Sequence, residues 1–420
     1  MSQELAVTWR TGFKPAFWAA NILELFERFA FYGSKAILVV YLAEKVGLGA
    51  QNAGSLAGVY TFLIFFLPIV AGTFVDRYGF RRTLMACFAL FCIGYFLIGL
   101  AGLDFGQAFV NSIGKTNYII SVLVLTAIGG SLIKPCIVGT VAKTSAPEVK
   151  ALGYSIYYTL VNIGGAIGPI LGLQVRENLG IEYVLVMSSL TSLLLLAGTF
   201  VFFKEPEGER EGGKTLGQIF RDMLLVFGNV RFISFLVIFS GFWIMFWQIF
   251  YSFPFYVRDV LHFERFEILE TVDAWTIILV GIPMTTLVKK WRPITAMTLG
   301  FVLASFSWLI IAGVQTVTAA IIGVALFAFG EATQAPRFYA YVSALAPKDQ
   351  VGTFMGFAFL PVAIGALVAG PLAGWLVETY LRETMNPKMI WYIVAGIGFA
   401  STALMLLYNI FFVKKEAAAK

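Results

Sequence analysis

Apolar residues along this chain fall into long runs separated by short polar breaks. The runs cover about 16–42, 52–75, 82–103, 117–142, 151–175, 183–203, 230–257, 267–288, 293–313, 317–345, 350–377 and 389–413. Each is long enough to cross a bilayer as a helix with some tilt. None alternates with the period of two that a transmembrane strand needs. The pattern predicts an all-α membrane protein with twelve transmembrane helices. The longest break, Lys204–Val230, begins KEPEGEREGGK, a charged glycine-rich linker, and continues TLGQIFRDMLLVF, whose apolar residues recur at helical spacing and suit the membrane surface. It divides the spans six and six, the layout of transporters built from two pseudo-symmetric six-helix bundles. The domains expected are 1–203, a linker 204–229, 230–413, and a tail 414–420 whose EAAAK matches a common helical spacer.

The first run breaks its own pattern. Asn21–Leu38 reads NILELFERFAFYGSKAIL and holds Glu24, Glu27, Arg28 and Lys35. An ionisable side chain at bilayer depth costs a few kcal/mol or more, so such residues mark function or pair with one another. Asn21, Glu24, Arg28, Tyr32 and Lys35 step by three or four and share one helical face. Two readings stand: an ion-pair ladder between helices, or the polar wall of a water-filled coupling and substrate site.

Lysine and arginine orient the chain. Loops on one side, with both termini, carry 19 of them, and those on the other carry 7. Both termini are therefore expected in the cytoplasm. The remaining four, Arg28, Lys35, Lys134 and Arg337, lie within spans. After the second span comes Gly72-Thr-Phe-Val-Asp76-Arg77-Tyr-Gly79-Phe-Arg81-Arg82. Gly72 would permit close helix approach, Gly79 a tight turn, and Asp76 with Arg77 a charged cytoplasmic latch. This loop resembles the GxLxDRxGRR signature of the major facilitator superfamily, which implies that superfamily's fold.

Other spans carry polar groups too. Lys134 follows Gly129-Gly130 and precedes Pro135 in the fourth. It lies roughly 12 Å from the cytoplasmic end, at the same depth as Glu24. The fifth span sets Tyr154, Tyr158 and Asn162 on one face and Gly164, Gly168 and Gly172 on another, the latter suited to close helix packing. The seventh has Trp243, Trp247, Gln248 and Tyr251; the eighth begins near Asp273; the tenth aligns Glu331, Gln334, Phe338 and Tyr341. Glu331 is expected to be the one acid deep in the second half, where it needs a cation. Arg337, six residues on, points elsewhere on the wheel and suits a gate or a capping contact near the cytoplasmic end. The eleventh span, with Pro361, Pro371 and many glycines, is expected to bend.

Composition narrows the class. Of 420 residues 59% are hydrophobic and 13% charged, and the mean hydropathy is +0.83, which excludes a soluble domain. The net charge of +6 resides in loops and is no nucleic-acid signal. Cys87, Cys92 and Cys136 sit in apolar runs without metal spacing, so free thiols and no metal are expected. His262 stands alone at a span end, as an interfacial residue would. No cleavable leader is expected. No catalytic grouping occurs in the spans, which argues against an enzyme. A monomer in a bacterial inner membrane is expected, with the bilayer and a small molecule as its partners.

Several motifs together resemble the proton-dependent oligopeptide transporter family. Glu24-x-x-Glu27-Arg28-Phe29 with Tyr32-Gly33 is similar to its ExxERF…YYG motif, and Lys134-Pro135 to its fourth-helix lysine. Tyr157-Tyr158-Thr159-Leu160-Val161-Asn162-Ile163-Gly164 is similar to its FYxxINxG signature, and Gly330-Glu331 to its tenth-helix acid. The resemblance implies proton-coupled symport of di- and tripeptides by alternating access, with the proton as coupling ion and no cofactor. It implies that Glu24, Glu27, Arg28 and Lys134 couple protons. Tyr32, Lys35, Lys134, Tyr158 and Asn162 would line the carboxylate side of a zwitterionic peptide. Glu331 would receive the amine, with Trp247, Gln248 and Asp273 lining the second half. The chain departs from the family at Lys35, usually Arg; Phe31, often Tyr; Asp273, usually Asn; and Ala358, usually Trp. An extra acid and a lost aromatic leave open another amine- or amino-acid-bearing substrate, or a proton-coupled antiporter exporting drugs on the same fold.

Overall fold

The computed structural model describes residues 11–206, 215–347 and 350–414. The middle of the linker and nearly all of the tail, on which two expectations fall, lie outside them. The helices are α1 (Pro15–Val40), α2 (Gly49–Phe66), α3 (Pro68–Tyr78), α4 (Phe80–Leu100), α5 (Asp104–Ile113), α6 (Lys115–Thr144), α7 (Lys150–Asn178), α8 (Ile181–Phe202) and α9 (Leu216–Gly228). They continue with α10 (Val230–Tyr251), α11 (Phe253–Asp259), α12 (Phe266–Val288), α13 (Pro293–Gly313), α14 (Val317–Leu345), α15 (Val351–Gly356), α16 (Leu360–Leu376) and α17 (Lys388–Tyr408). Among the described residues ten spans are long and apolar enough to cross a membrane, and α2 with α3, bent by 46°, makes an eleventh. The 26-residue α1 is long enough too, though its four charged side chains lower its hydropathy. With it the count reaches the expected twelve.

Breaks fall where the backbone loses a donor. Pro68 opens α3, Pro254 lies in the first turn of α11, and Pro361 does so in α16 after a 3-10 turn at Phe357–Phe359. The eleventh run is thus two helices, as its prolines and glycines suggested. Gly79 has φ +84° and joins α3 to α4, so the turn predicted there needs its glycine. Gly72 does not act as expected: nothing lies within 4 Å of where its Cβ would be, because that face of α3 meets no neighbour closely. The N-terminus of α4 is instead held by Glu205, which accepts from Phe80 N and Arg81 N at 2.8 Å each. Asp76 and Arg77 are exposed, and the Arg77 guanidinium lies 5.5 Å from the Tyr78 ring centre.

Contacts form two units: the chain through Ser34 with Leu67–Leu216, and Lys35–Phe66 with the chain from Gly217 onward. In the first, α4 packs on α6 and α8, α3 on α6, and α7 on α8. Side chains on the spans' outer faces, such as Leu194 at 72% and Phe202 at 75% exposure, are placed for lipid. Two amphipathic helices flank the spans. The linker helix α9, expected from its spacing, exposes Phe220, Leu224 and Leu225. The other, α5, exposes Phe105, Phe109 and Ile113 and was not foreseen, because ten residues are too few to stand out beside the long runs. Cys87, Cys92 and Cys136 are free thiols. His262 lies exposed in the connection between α11 and α12 at φ +52°.

In the second unit α2 packs on α16, α10 on α16 and α17, α13 on α14 and α17, and α12 on α14. Trp308 and Trp391 stack at 4.8 Å in its core. The α2–α16 seam is closed by glycines. A Cβ at Gly58 would sit 2.7 Å from Ala366 O and 3.0 Å from Gly370 Cα; one at Gly374 would sit 2.6 Å from Gln51 Cα. Beyond this seam Arg258 holds Glu44 in a two-pronged pair at 2.5 and 2.8 Å, and Glu378 accepts from Ala50 N at 3.0 Å. Gly58→Val is expected to cost about 1–3 kcal/mol by overpacking, read as a lower melting temperature in detergent. Gly396→Ala, where nothing lies within 4 Å, is expected to leave it unchanged or raise it.

Candidate functional site

The polar stripe of α1 points inward. Asn21, Glu24, Glu27 and Arg28 are all buried, while Trp18, Ile22 and Phe26, four residues apart, form the exposed row. Arg28 sits between two carboxylates: its Nε lies 2.5 Å from Glu27 Oε2 and 3.2 Å from Glu24 Oε1. Lys134, half-buried on α6, is within electrostatic reach of Glu24, Glu27 and Arg28. The equal depth deduced for Lys134 and Glu24 does bring them into one cluster. With all four ionised the cluster is neutral; one added proton leaves it with a net positive charge.

The packing of α7 makes room for these groups. A Cβ at Gly164 would collide with the Arg28 side chain, and one at Gly168 would sit 2.8 Å from Phe29 O. The glycine row therefore serves close packing on α1, as its spacing indicated. On the far side of α1, Ser188 Oγ of α8 donates to Ala30 O at 3.0 Å and meets Ser34 Oγ at 2.6 Å. Asn21 donates its amide to Phe17 O at 2.8 Å.

On α7, Tyr157 is within electrostatic reach of Glu24, Arg28, Glu27 and Tyr32. Tyr158, singled out from the sequence, is half exposed, and Asn162 donates to its backbone oxygen at 2.9 Å. Tyr157 precedes Gly164 by seven residues and so shares its face. That spacing is the signal that would have found it.

The second unit holds a separate group of charges. Lys35 is 3% exposed. Its ammonium donates to Thr61 Oγ1 and, at 3.1 Å, to the Tyr251 hydroxyl. It lies 4.5 Å from the Trp247 ring centre and 4.7 Å from that of Tyr251, close enough for cation–π attraction. The Tyr251 hydroxyl donates onward to Thr61 Oγ1 at 2.8 Å and Ala57 O at 3.2 Å. Trp247 Nε1 donates to Val362 O, and the buried Gln248 amide to Ala369 O, while its oxygen accepts from Ser252. Gln248 thus ties α10 to α16.

Acids cluster where α12 meets α14, around the seam of Ile277, Ala328 and Ala332. Asp273 acts electrostatically on Glu331, and Glu331 on Tyr339. Asp273 Oδ1 and Glu331 Oε2 are buried without hydrogen-bond partners among the described residues. Glu331 is not the sole deep acid of this half, because Glu267 and Glu270 on α12 are buried as well. Arg337 caps carbonyls, donating to Lys289 O at 3.2 Å and Trp291 O at 2.7 Å. Among the described residues no group of acidic, histidine or cysteine side chains is arranged to hold a metal ion.

Removing one member of a buried ion cluster strands the rest. Arg28→Ala is therefore expected to cost about 3–5 kcal/mol, seen as a lower melting temperature. Adding Glu24→Gln and Glu27→Gln to it is expected to recover part of that loss.

The family model described as Major Facilitator Superfamily matches residues 21–360 and again 265–419. The multidrug resistance protein MdtH of Blochmanniella floridana is 22% identical over 387 residues, 92% of each chain. The dipeptide and tripeptide permease B of Aliivibrio fischeri (strain MJ11) is 30% identical over 185 residues, 43% of this chain and 34% of the permease. Among solved structures, a POT family transporter in complex with 5-aminolevulinic acid superposes at a TM-score of 0.77 with 17% identity, covering 93% of this chain and 95% of that one. A POT family transporter in complex with a thioalcohol conjugated peptide does so at 0.77 and 16%, covering 94% and 96%. The helical fold, the spans and the family match place this chain in the major facilitator superfamily, as a multi-pass membrane transporter.

Proposed function

We propose that this transporter is a proton-coupled symporter for small peptides such as di- and tripeptides, working by alternating access in a bacterial inner membrane. The observation that carries the reading is that the spans bury both signs of charge, each ready for a guest. Lys35 is held by neutral hydroxyls and ring faces, which a carboxylate can replace without breaking an ion pair. Asp273 and Glu331 present buried oxygens that an ammonium group would satisfy. A zwitterion needs one of each. The compounds named with the solved relatives, 5-aminolevulinic acid and a conjugated peptide, fit that description.

Coupling follows from the α1 cluster. A proton on Glu24 or Glu27 removes one of the two negative charges that hold Arg28 and Lys134, and the freed cation attracts a carboxylate. One charge moved through 100 mV supplies about 2.3 kcal/mol, enough to bias the cycle. No cofactor enters this scheme. Tyr32 and Tyr157 would tune the cluster, with Tyr158 and Asn162 on the substrate side.

A second reading has its own support. The likeness to multidrug resistance proteins runs over nearly the whole chain, whereas that to the permease covers 34% of its length. The acids of α12 and α14 would also suit a cationic drug exported in exchange for protons.

Uptake of labelled dialanine into proteoliposomes distinguishes the two. Symport predicts acid-driven accumulation, lowered more than about tenfold by Glu24→Gln or Glu27→Gln, as expected when a term of about 2.3 kcal/mol is lost. Full acid-driven uptake by both variants would sink the coupling role. Competition by lipophilic cations but not by dipeptides would move the conclusion to the antiporter.

A further inference from the structure

The short helix α5 takes no part in the charge clusters. It is tied to α4 through Ala101-Gly102-Leu103 and to α6 through Gly114 alone, which has φ +88°. Its 10 residues make a rod of about 15 Å. Such short tethers keep it beside the ends of two membrane spans, at the border of the bilayer. It packs against both. Gly106 and Val110 are buried, and a Cβ at Gly106 would collide with Leu100 at the end of α4. The Phe109 ring meets that of Tyr118 edge-on at 6.0 Å. The Tyr118 hydroxyl donates to Leu97 O at 2.7 Å, which joins the first turn of α6 to the last turn of α4.

The rest of α5 divides by chemistry. Phe105, Phe109 and Ile113 step by four and share a face, and they are 73%, 53% and 45% exposed. Asp104, Gln107 and Asn111 lie exposed on the other side, where the Gln107 amide donates to Asp104 Oδ1 at 3.4 Å. A row of large apolar side chains on so short a helix is costly to leave in water. The two spans that α5 joins also expose apolar residues near its attachment points, Phe96 on α4 and Ile120 on α6. The row on α5 extends that lipid-facing surface beyond the ends of the spans. Charge narrows the partner. Asp104 is the one charged residue of α5, and it sits in the first turn, where it suits the helix dipole. The helix has no lysine or arginine to offer an anionic headgroup.

We propose that α5 lies in the plane of the membrane surface, on the side opposite the start of α1, as a lipid-binding helix. Phe105, Phe109 and Ile113 enter the acyl chains, while Asp104, Gln107 and Asn111 stay in water. The partner is the apolar border of the leaflet, bound through buried area with no call on headgroup charge. Because α5 is packed on both spans, its depth fixes the depth of the α4 and α6 ends.

Nitroxide labels on the full chain, in phosphatidylcholine nanodiscs wide enough for two copies, test this. The wild type, labelled in parallel, is the blank for its native thiols. Labels in Phe105→Cys, Phe109→Cys and Ile113→Cys are expected to relax more with oxygen, which concentrates in lipid, than with a water-soluble nickel chelate. Those in Gln107→Cys and Asn111→Cys are expected to do the reverse. Adding Phe105→Asn with Phe109→Asn is expected to bring the Ile113→Cys label out to the chelate. Exchanging part of the lipid for phosphatidylglycerol is expected to leave all depths unchanged. A single preference shared by every position overturns the proposal. Dipolar broadening between copies at the three apolar positions overturns it too, because a second chain would then be the occupant. An Ile113→Cys label that stays in lipid despite both asparagines overturns the part given to the phenylalanines. Depths that grow with phosphatidylglycerol overturn the uncharged partner.

Discussion

A charge inside a bilayer must be met by another charge or by several strong hydrogen bonds, and this constraint shapes the first unit. Three charged groups of α1 and the lysine of α6 form one neutral cluster. The glycine row of α7 follows from it. A helix carrying Arg28 can pack closely only against a neighbour that gives up its own side chains, and Gly164 and Gly168 do so. The outward row Trp18, Ile22 and Phe26 is the other consequence. With every polar group of the helix committed inward, only apolar side chains remain for lipid.

The second unit meets the same constraint with a different balance. Among the described residues its spans hold two buried acids, Glu267 and Glu270, and two half-buried ones, Asp273 and Glu331, against one buried lysine, Lys35. Arg337 does not redress this, because it spends its guanidinium on backbone carbonyls at a helix end. An excess of buried acid is stable only with protons or a cationic guest. The first unit pairs its buried acids with cations, whereas in the second the Glu270 oxygens have no hydrogen-bond partner among the described residues.

Most of the architecture was legible because twenty-residue apolar runs have few alternatives. Ends of helices fell within a few residues of the run boundaries, and the bends fell at prolines. What escaped was local. The ten-residue α5 gave too short a signal. Gly72 matched a motif but faces open space, since a motif names a residue type without saying what stands opposite it. Tyr157 lies off the polar stripe of Tyr154, Tyr158 and Asn162, on the glycine face of the same helix, whose spacing indicates packing alone. Glu267 and Glu270 were passed over because acids in the opening turns of a helix ordinarily serve its dipole and face water. No wheel projection reveals that these two are covered.

The placement of the lysines bears on what is carried. Lys35 and Lys134 each repel a simple cation and cost desolvation, although Lys134 is compensated by the carboxylates of the α1 cluster. Both are retained in the spans, and Lys35 is kept on groups that release it cheaply: two hydroxyls and an aromatic face, with no carboxylate to break away from. A guest carboxylate therefore exchanges neutral contacts for a charge-assisted pair, a net gain. A cationic drug would have to be tolerated in spite of these lysines. The acids alone are compatible with either cargo; the acids together with the buried Lys35 support the zwitterionic cargo of the proposed function.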